Sequence, residues 1–440
     1  MSTLTEWARK ITMIWRAPDR VKAGISHRAR EAKKKLLLQL PDVTHAGNRA
    51  VCRKVELDGE THIRKVFSEN EEALACMTRE IAARELFGER PWMVPIIEQG
   101  ASHITLALLP EERRLDRVAE SLSEQERLEV ARQAMHVAFE IFAQGYAHRD
   151  FHSRNMFWED AQLRIVDFEV LQPYLEHDRP AFPESYDLVG TGLDSPFATE
   201  NMCYQSVDPN SLLNTLRVPL DVSIRQLEDD LRDRLREASL TFKKRGTRHT
   251  CRAQRIYNSM ELPHFSVSPS EAQRNCALRF RTLGINAVDI EGKRLLDLGS
   301  NIGGMLLEAQ RLGPRQSIGI EYDAEKIELS RTIAAYNGFN SLEFRQADID
   351  LLEAQDLGEP FDTVFCFAIE AHVKKPERLF RLLAEVTATK LYFEGNSSTA
   401  AEAAEASLRA VGFKHVESLG MCDDDFLPEN NNRPLLVAIK

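Results

Sequence analysis

The sequence predicts an α/β chain of more than one domain. Its first half mixes strands and helices, a helical linker follows, and the second half is a doubly wound sheet. Three observations carry this reading. The chain has 440 residues, more than a single hydrophobic core ordinarily serves. In the first half, two strands meet at an Asp58-Gly59 turn and lead into a long helix. After residue 290, short apolar runs alternate with helical periodicity, which is the rhythm of βα units.

The bulk properties narrow the function classes. A net charge of −11 argues against a general nucleic-acid binder. The seven cysteines include no Cys-x-x-Cys pair, a reduced, cytoplasmic pattern with no zinc or disulfide framework. No apolar run is long enough to span a bilayer, and the N-terminus does not read as a secretory signal. Residues 1–40 nevertheless hold ten Lys or Arg against three acids. Trp7, Ile11, Ile14 and Trp15 recur at helical spacing. Two readings stand side by side. One is a basic amphipathic helix lying on an anionic inner-membrane surface. The other is a helix docked on the neighbouring lobe with its basic face in water.

In chain order, Val51–Leu57 and Thr61–Phe67 read as strands. A helix is predicted over 70–87 with Ala73, Met77, Ile81, Ala82 and Leu86 inward. An apolar strand covers 104–109. Ser123 and Glu126 form a capping box opening a helix to about Gln144, and Leu163–Val166 is a short strand. Leu220, Ile224, Leu227, Leu231 and Leu235 mark a charged linker helix over 220–242 with the spacing of a short coiled coil, ended by Lys243-Lys244-Arg245. Strands are then expected near 293–298, 317–321, 342–346, 362–367, 389–394 and 434–439.

Residues 148–155 read His-Arg-Asp-Phe-His-Ser-Arg-Asn, and 166–169 read Val-Asp-Phe-Glu. Asp150 can accept a hydroxyl proton, while Asn155 and Asp167 can hold Mg²⁺ against phosphates. Upstream, Lys65 is placed to reach the phosphates of ATP, with Glu80 as its partner and Glu85 as runner-up. This set resembles the protein-kinase superfamily, in particular its lipopolysaccharide and small-molecule kinase branch. The resemblance implies an N-terminal bilobal protein-kinase-like fold (α+β) over 41–210, with ATP and Mg²⁺ as cofactors, Asp150, Lys65 and Glu80 as catalytic residues, and Asn155 and Asp167 as metal ligands. Two features depart from it. Glu169 stands where the family usually has glycine, and only Gly47 stands near the expected glycine-rich loop. An Ala-Pro-Glu motif is also missing, which points away from a protein substrate.

A second motif, Arg-Leu-Leu-Asp-Leu-Gly-Ser-Asn-Ile-Gly-Gly over 294–304, reads as a strand, a turn and a helix start. Glycine there lets backbone approach a ligand at a strand's carboxyl end. Glu321 ends the next strand, about twenty residues on, where an acid can take both ribose hydroxyls. Asp348 follows the third strand and could accept from an adenine amino group. A dinucleotide site is the rival, but Gly299, Gly303 and Gly304 lack the Gly-x-Gly-x-x-Gly spacing. With Phe361–Phe367 and Ala371–Phe380, the run resembles a Rossmann-like class I S-adenosylmethionine (SAM) methyltransferase over 250–440. The resemblance implies SAM as cofactor, bound by Asp297, Gly299, Gly303, Glu321 and Asp348. Arg252, Arg255 and Arg274 are candidates to seat an anionic acceptor. His372 is a possible base, and Glu394 is a further candidate.

The order is therefore a basic segment 1–40, a kinase-like domain 41–210, a helical linker 211–249 and a methyltransferase domain 250–440. The pairing resembles the bacterial O-antigen chain-terminating enzymes, although those carry the methyltransferase first. It implies phosphorylation of the terminal sugar of a lipid-linked glycan followed by methylation of that phosphate. It also implies a cytoplasmic protein peripheral on the inner membrane, with a glycosyltransferase partner or an oligomer conceivable. Two alternatives stay open. One is a tailoring enzyme for a soluble metabolite, and the other is a methyltransferase with a degenerate nucleotide-binding domain.

Overall fold

The computed structural model describes residues 34–440 apart from 36, 41, 48, 176–178, 190–209 and 245–246. The amphipathic pattern of Trp7, Ile11, Ile14 and Trp15 lies outside the described residues. The chain divides into two compact units. One takes the described residues within Met1–Ala134, His148–Gln172 and Met202–Arg217, and the other those within Met135–Ala147, Pro173–Asn201 and Val218–Lys440. No helix among the described residues is long and apolar enough to cross a membrane.

The first unit is organised by an antiparallel sheet of five strands: β1 (Val43–Ala46), β2 (Ala50–Leu57), β3 (Glu60–Phe67), β4 (Ile96–Gln99) and β5 (His103–Ala107), in the order β1-β2-β3-β5-β4. Asp58 and Gly59 both have positive φ, 54° and 83°, as a two-residue hairpin turn requires. That turn fixes the register pairing Cys52 with Lys65, and alternation along β3 turns Lys65 inward with Phe67. Helix α1 (Glu71–Phe87) is capped by the Asn70 side chain, which accepts from the Ala73 amide. Its inward face is Ala73, Cys76, Met77, Glu80, Ala83, Arg84 and Phe87. The pattern had put Leu86 inward, but it is 43% exposed, because Phe87 takes the core position. Glu85 is exposed as well.

Helix α2 (Glu124–Ala143) opens with the expected box: Ser123 Oγ accepts from the Glu126 amide, and Glu126 accepts from the Ser123 amide. Hairpin β6–β7 (Met156–Glu159, Gln162–Ile165) follows the 148–155 loop.

In the second unit, helix α3 spans Leu220–Ser239, shorter than the expected 220–242. Leu227, Leu231 and Leu235 are fully buried within this unit, and Glu228 accepts from the Tyr336 hydroxyl at 2.9 Å. The helix is thus a packed element, not a free linker. Its apolar stripe meets a neighbouring core, a partner that heptad spacing alone does not reveal. The residues after it form an antiparallel hairpin, β8 (Thr241–Lys244) with β9 (Thr247–Thr250). Short parallel strands β10 (Ile256–Asn258) and β11 (Ala272–Arg274) and helix α4 (Cys276–Thr282) lead into the main sheet.

That sheet has seven strands. They are β12 (Arg294–Leu298), β13 (Gln316–Glu321), β14 (Leu342–Gln346), β15 (Phe361–Phe367), β16 (Thr387–Glu394), β17 (His415–Cys422) and β18 (Arg433–Ile439), ordered β14-β13-β12-β15-β16-β18-β17. Between them run α5 (Gly304–Ala309), α6 (Ala324–Tyr336), α7 (Pro376–Val386) and α8 (Ala401–Ala410). Leu295, Leu296 and Leu298 are completely buried, as expected for a central parallel strand covered on both faces. β18 runs antiparallel to both β16 and β17. Six strands stand where the apolar runs place them. The seventh, β17, shows no apolar run, because at this edge only Val416 and Cys422 are buried. The order reverses between β12 and β15, which opens a crevice at their carboxyl ends.

Candidate active sites

In the first unit, Lys65 is the centre of a buried charge cluster. Its Nζ lies 2.6 Å from Glu80, 2.9 Å from Asp167 and 2.8 Å from Glu169. Burial alone would lower the Lys65 pKa, but the three carboxylates hold it well above its ordinary value. Glu80 is fully buried and also pairs with Arg84. Despite its burial, these two cations keep its carboxyl below the usual range. Asp167 is likewise held low against burial, chiefly by Lys65. Glu169 goes the other way, raised by burial that Lys65 only partly offsets. It also reaches Arg49 at 3.5 Å.

The 148–155 loop is locked from several directions. His148 is buried against Phe168, with ring centroids 4.6 Å apart, and Phe168 packs on Trp92. Arg149 and Asp167 take left-handed backbone, φ 67° and 68°, a conformation that costs energy in non-glycine residues and gathers at working sites. Asn155 donates to the Asp150 backbone carbonyl and carboxylate, both at 3.0 Å. His152 lies 3.2 Å from the same carboxylate. Burial would raise the Asp150 pKa, but these contacts keep it below the ordinary value. The Val166 amide donates to the Asn155 carbonyl, which ties the strand bearing Asp167 to this loop.

Lys65, Glu80 and Asp167 thus meet directly, and Asp150 meets Asn155. The Asn155 amide engages Asp150, not Asp167. Glu80, Asp167 and Glu169 offer oxygens within 4.8 Å of one another, with the Lys65 ammonium among them. Carboxylate and amide oxygens are the hard donors that Mg²⁺ takes, so Asp167 and Asn155 fit such an ion, and Lys65 fits an anionic phosphate. The Asp150 carboxyl is held below its ordinary value, the direction that suits a proton acceptor.

In the second unit, a cavity of about 430 Å³ opens at the carboxyl ends of β12, β13 and β15. Gly299, Asn301, Glu321, Tyr322, Asp348 and Ile349 line one part of it. Gly299 has φ 82°, and a Cβ there would come 2.1 Å from Ile369 Cδ1. The Glu321 carboxylate accepts from the amides of Asn301 and Asp323, both at 3.0 Å, which anchors it at the cavity edge. Gly299, Glu321 and Asp348 therefore share the cavity. Asp297 and Gly303 do not line it. Asp297 is buried beneath the loop, and burial pushes its carboxyl up to about 7. Gly303 has φ 76° and sits where a Cβ would meet the Phe344 ring at 2.5 Å. Both shape the loop from below. The glycine-loop cradle and the acid at the end of β13 fit an adenosyl group.

The acceptor candidates divide. Arg252 and His372 line the cavity. Arg255 instead lies over the Phe426 ring, 3.5 Å from its centroid. Arg274 is 1% exposed and paired with Glu394 at 2.9 Å and Asp424 at 2.6 Å, so it cannot seat an acceptor. Glu394 is fully buried between Arg274, Arg279 and Arg433. Burial would raise its pKa, but the three guanidiniums hold it at about 2, and it is no base. An acid at a strand end serves a buried ion-pair network as readily as it serves as a base, and an arginine upstream of the cofactor motif can be drawn into the same network. Replacing Glu394 by Gln leaves three buried cations short of a counter-charge and should cost about 3–5 kcal/mol, read by chemical denaturation. Its folded pKa lies below the ordinary 4.5. The stabilisation is therefore complete above pH 4.5 and fades as pH falls toward 2.

Sequence reasoning missed Phe242, Lys326, Asn396 and Arg433 on the cavity wall. Thr241-Phe242 and Thr247–Thr250 flanking Gly246 were a legible hairpin signal, but it was absorbed into the preceding helix.

A family model described as a methyltransferase domain matches residues 289–417. Ribosomal protein L11 methyltransferase of Deinococcus radiodurans is 33% identical over 88 residues, 20% of this chain and 32% of that protein. Ubiquinone biosynthesis O-methyltransferase of Neisseria meningitidis serogroup C is 34% identical over 100 residues, 22% of this chain and 41% of that protein. The chain thus spans well under two thirds of the length of either relative. Among solved structures, the N-terminal domain of EvdMO1 with SAH bound is 17% identical, covering 49% of this chain and 96% of that one at a TM-score of 0.35. The C-terminal part of the chain carries a class I SAM-dependent methyltransferase domain.

Proposed function

We propose that this chain is a bifunctional transferase that phosphorylates a hydroxyl with ATP and then methylates the new phosphate with SAM. The single observation behind the first activity is the convergence of Glu80 and Asp167 on Lys65, beside a loop in which Asn155 holds Asp150. In this reading Lys65 binds phosphate oxygens, and Asp167 and Asn155 hold Mg²⁺, which neutralises charge on the transferring group. Asp150 orients the acceptor hydroxyl and takes its proton as the new P–O bond forms and the bond to ADP breaks. Glu321 and Asp348 hold the adenosyl group of SAM in the second unit. A phosphate acceptor is already anionic, so methyl transfer needs alignment more than a base. Arg252 on the cavity wall supplies a cation to seat it.

The acceptor in this reading is the terminal sugar of a lipid-linked surface glycan, and the capped end stops chain growth. The basic segment 1–40 would place the enzyme on the inner membrane. Deleting residues 1–33 should then reduce binding to vesicles containing anionic lipid, and unchanged binding would remove the membrane part of the proposal. The main test supplies the purified chain with glycan acceptor, Mg²⁺-ATP and labelled SAM. Methyl incorporation should require ATP, and equal methylation of an unphosphorylated acceptor would refute the sequence of steps.

One contact favours a second reading. Glu169 occupies Lys65 at 2.8 Å, where a nucleotide phosphate would have to compete. A domain that binds nucleotide without turning it over would account for that. ADP production in the presence of acceptor distinguishes the two.

A further inference from the structure

Lys326 is the least expected group on the wall of the SAM cavity. It is 3% exposed and sits in the first turn of α6, where the helix dipole disfavours a cation. The carboxylates around it are engaged elsewhere. Glu321 accepts from two backbone amides. Asp323 caps α6 through the Glu325 amide and pairs with Arg248 at 3.3 Å. Among the described residues no carboxylate lies within ion-pair distance of the Lys326 ammonium, and the side chain borders the cavity. Glu321 and Asp323 act on it from beyond ion-pair range, and burying a cation without a direct partner is costly, so the position favours an anion supplied from the cavity.

The surroundings say which one. Ser330, one turn along α6, lies 2.8 Å from the Lys326 carbonyl and 3.4 Å from the Asn301 carbonyl. The Lys326 side of the helix therefore follows the glycine loop. Thr250 and Cys251 of the hairpin segment close the same wall. Glu321 and Asp348 already account for the nucleoside end of SAM. The other end carries an α-carboxylate and an α-ammonium, and a lysine attracts the first and repels the second. Burial lowers the Lys326 pKa, opposed mainly by Glu321, so an incoming carboxylate would also favour its charged form.

We propose that Lys326 is a cofactor-binding residue that pairs with the α-carboxylate of the methionyl tail of SAM. This rests on the methyltransferase reading of the second unit and adds to it a contact for the amino-acid end.

The experiment measures binding of S-adenosylhomocysteine and of 5′-methylthioadenosine, which lacks the amino-acid tail, to the full chain by calorimetry. Lys326→Met should weaken S-adenosylhomocysteine at least about tenfold, as for loss of a hydrogen bond to a charged group. Binding of 5′-methylthioadenosine should stay within about twofold, which also reports an intact fold. Equal weakening of both ligands, or none of either, would overturn the assignment. Failure of the unmodified chain to bind S-adenosylhomocysteine would instead refute the methyltransferase reading, and this contact with it.

Discussion

Replacing Asp167 by Asn should, under the proposed phosphoryl transfer, lower ATP-dependent phosphorylation by about a hundredfold to a thousandfold, the scale of removing one preorganised electrostatic contact from a catalytic site. Methyl transfer to an acceptor that is already phosphorylated should stay within about twofold, because Asp167 and the SAM cavity belong to different units. The physical reason lies in the charges. Lys65 holds the Asp167 carboxyl below its ordinary value against burial, and a neutral amide of the same shape cannot neutralise a divalent cation. Parallel assays with labelled ATP and labelled SAM read the two activities separately. A fully active Asp167→Asn chain would remove Asp167 from the proposed role and the kinase reading with it.

Replacing Gly299 by Val should abolish SAM binding, a loss of more than about a hundredfold in affinity, equal to roughly 2.7 kcal/mol. Two independent costs add at this position. The backbone has φ 82°, and the first side-chain carbon would stand 2.1 Å from Ile369 Cδ1. Non-glycine residues, and β-branched ones above all, resist that backbone region. Ile369 can turn its side chain aside, but the left-handed backbone stays strained, and relieving it moves the loop at the end of β12 that lines the cavity. Calorimetry with S-adenosylhomocysteine checks the result. Retained affinity would mean that the cofactor does not pass over this loop.

The candidate sites were legible to different depths. Asp150, Asn155, Asp167, Lys65 and Glu80 could be picked out because their residue types and spacings are restrictive, and the fold does bring Lys65 within ion-pair range of Glu80 and Asp167. The role of Glu169 was not legible. A residue in the place of a glycine says nothing of which cation it will reach, and only the folded chain puts it on Lys65. Glu394 and Arg274 misled for a related reason. For Glu394, a strand end is shared by catalytic acids and by buried ion-pair networks; for Arg274, positive charge is shared by anion seats and by such networks, and only burial separates the two cases.

Local sequence determined the elements: the Asp58-Gly59 turn that sets the register of Lys65, the Ser123–Glu126 cap, and the six apolar strands of the second half. These depend on backbone preference and on periodicity within a few residues, and both are written in the chain. Tertiary structure decided what each element meets. It buried the stripe of α3, paired the polar strand β17 with β18, paired β8 with β9 beside the cavity, and left Lys326 buried at its wall. Those outcomes depend on contacts between residues far apart in sequence, whose energy no local pattern contains.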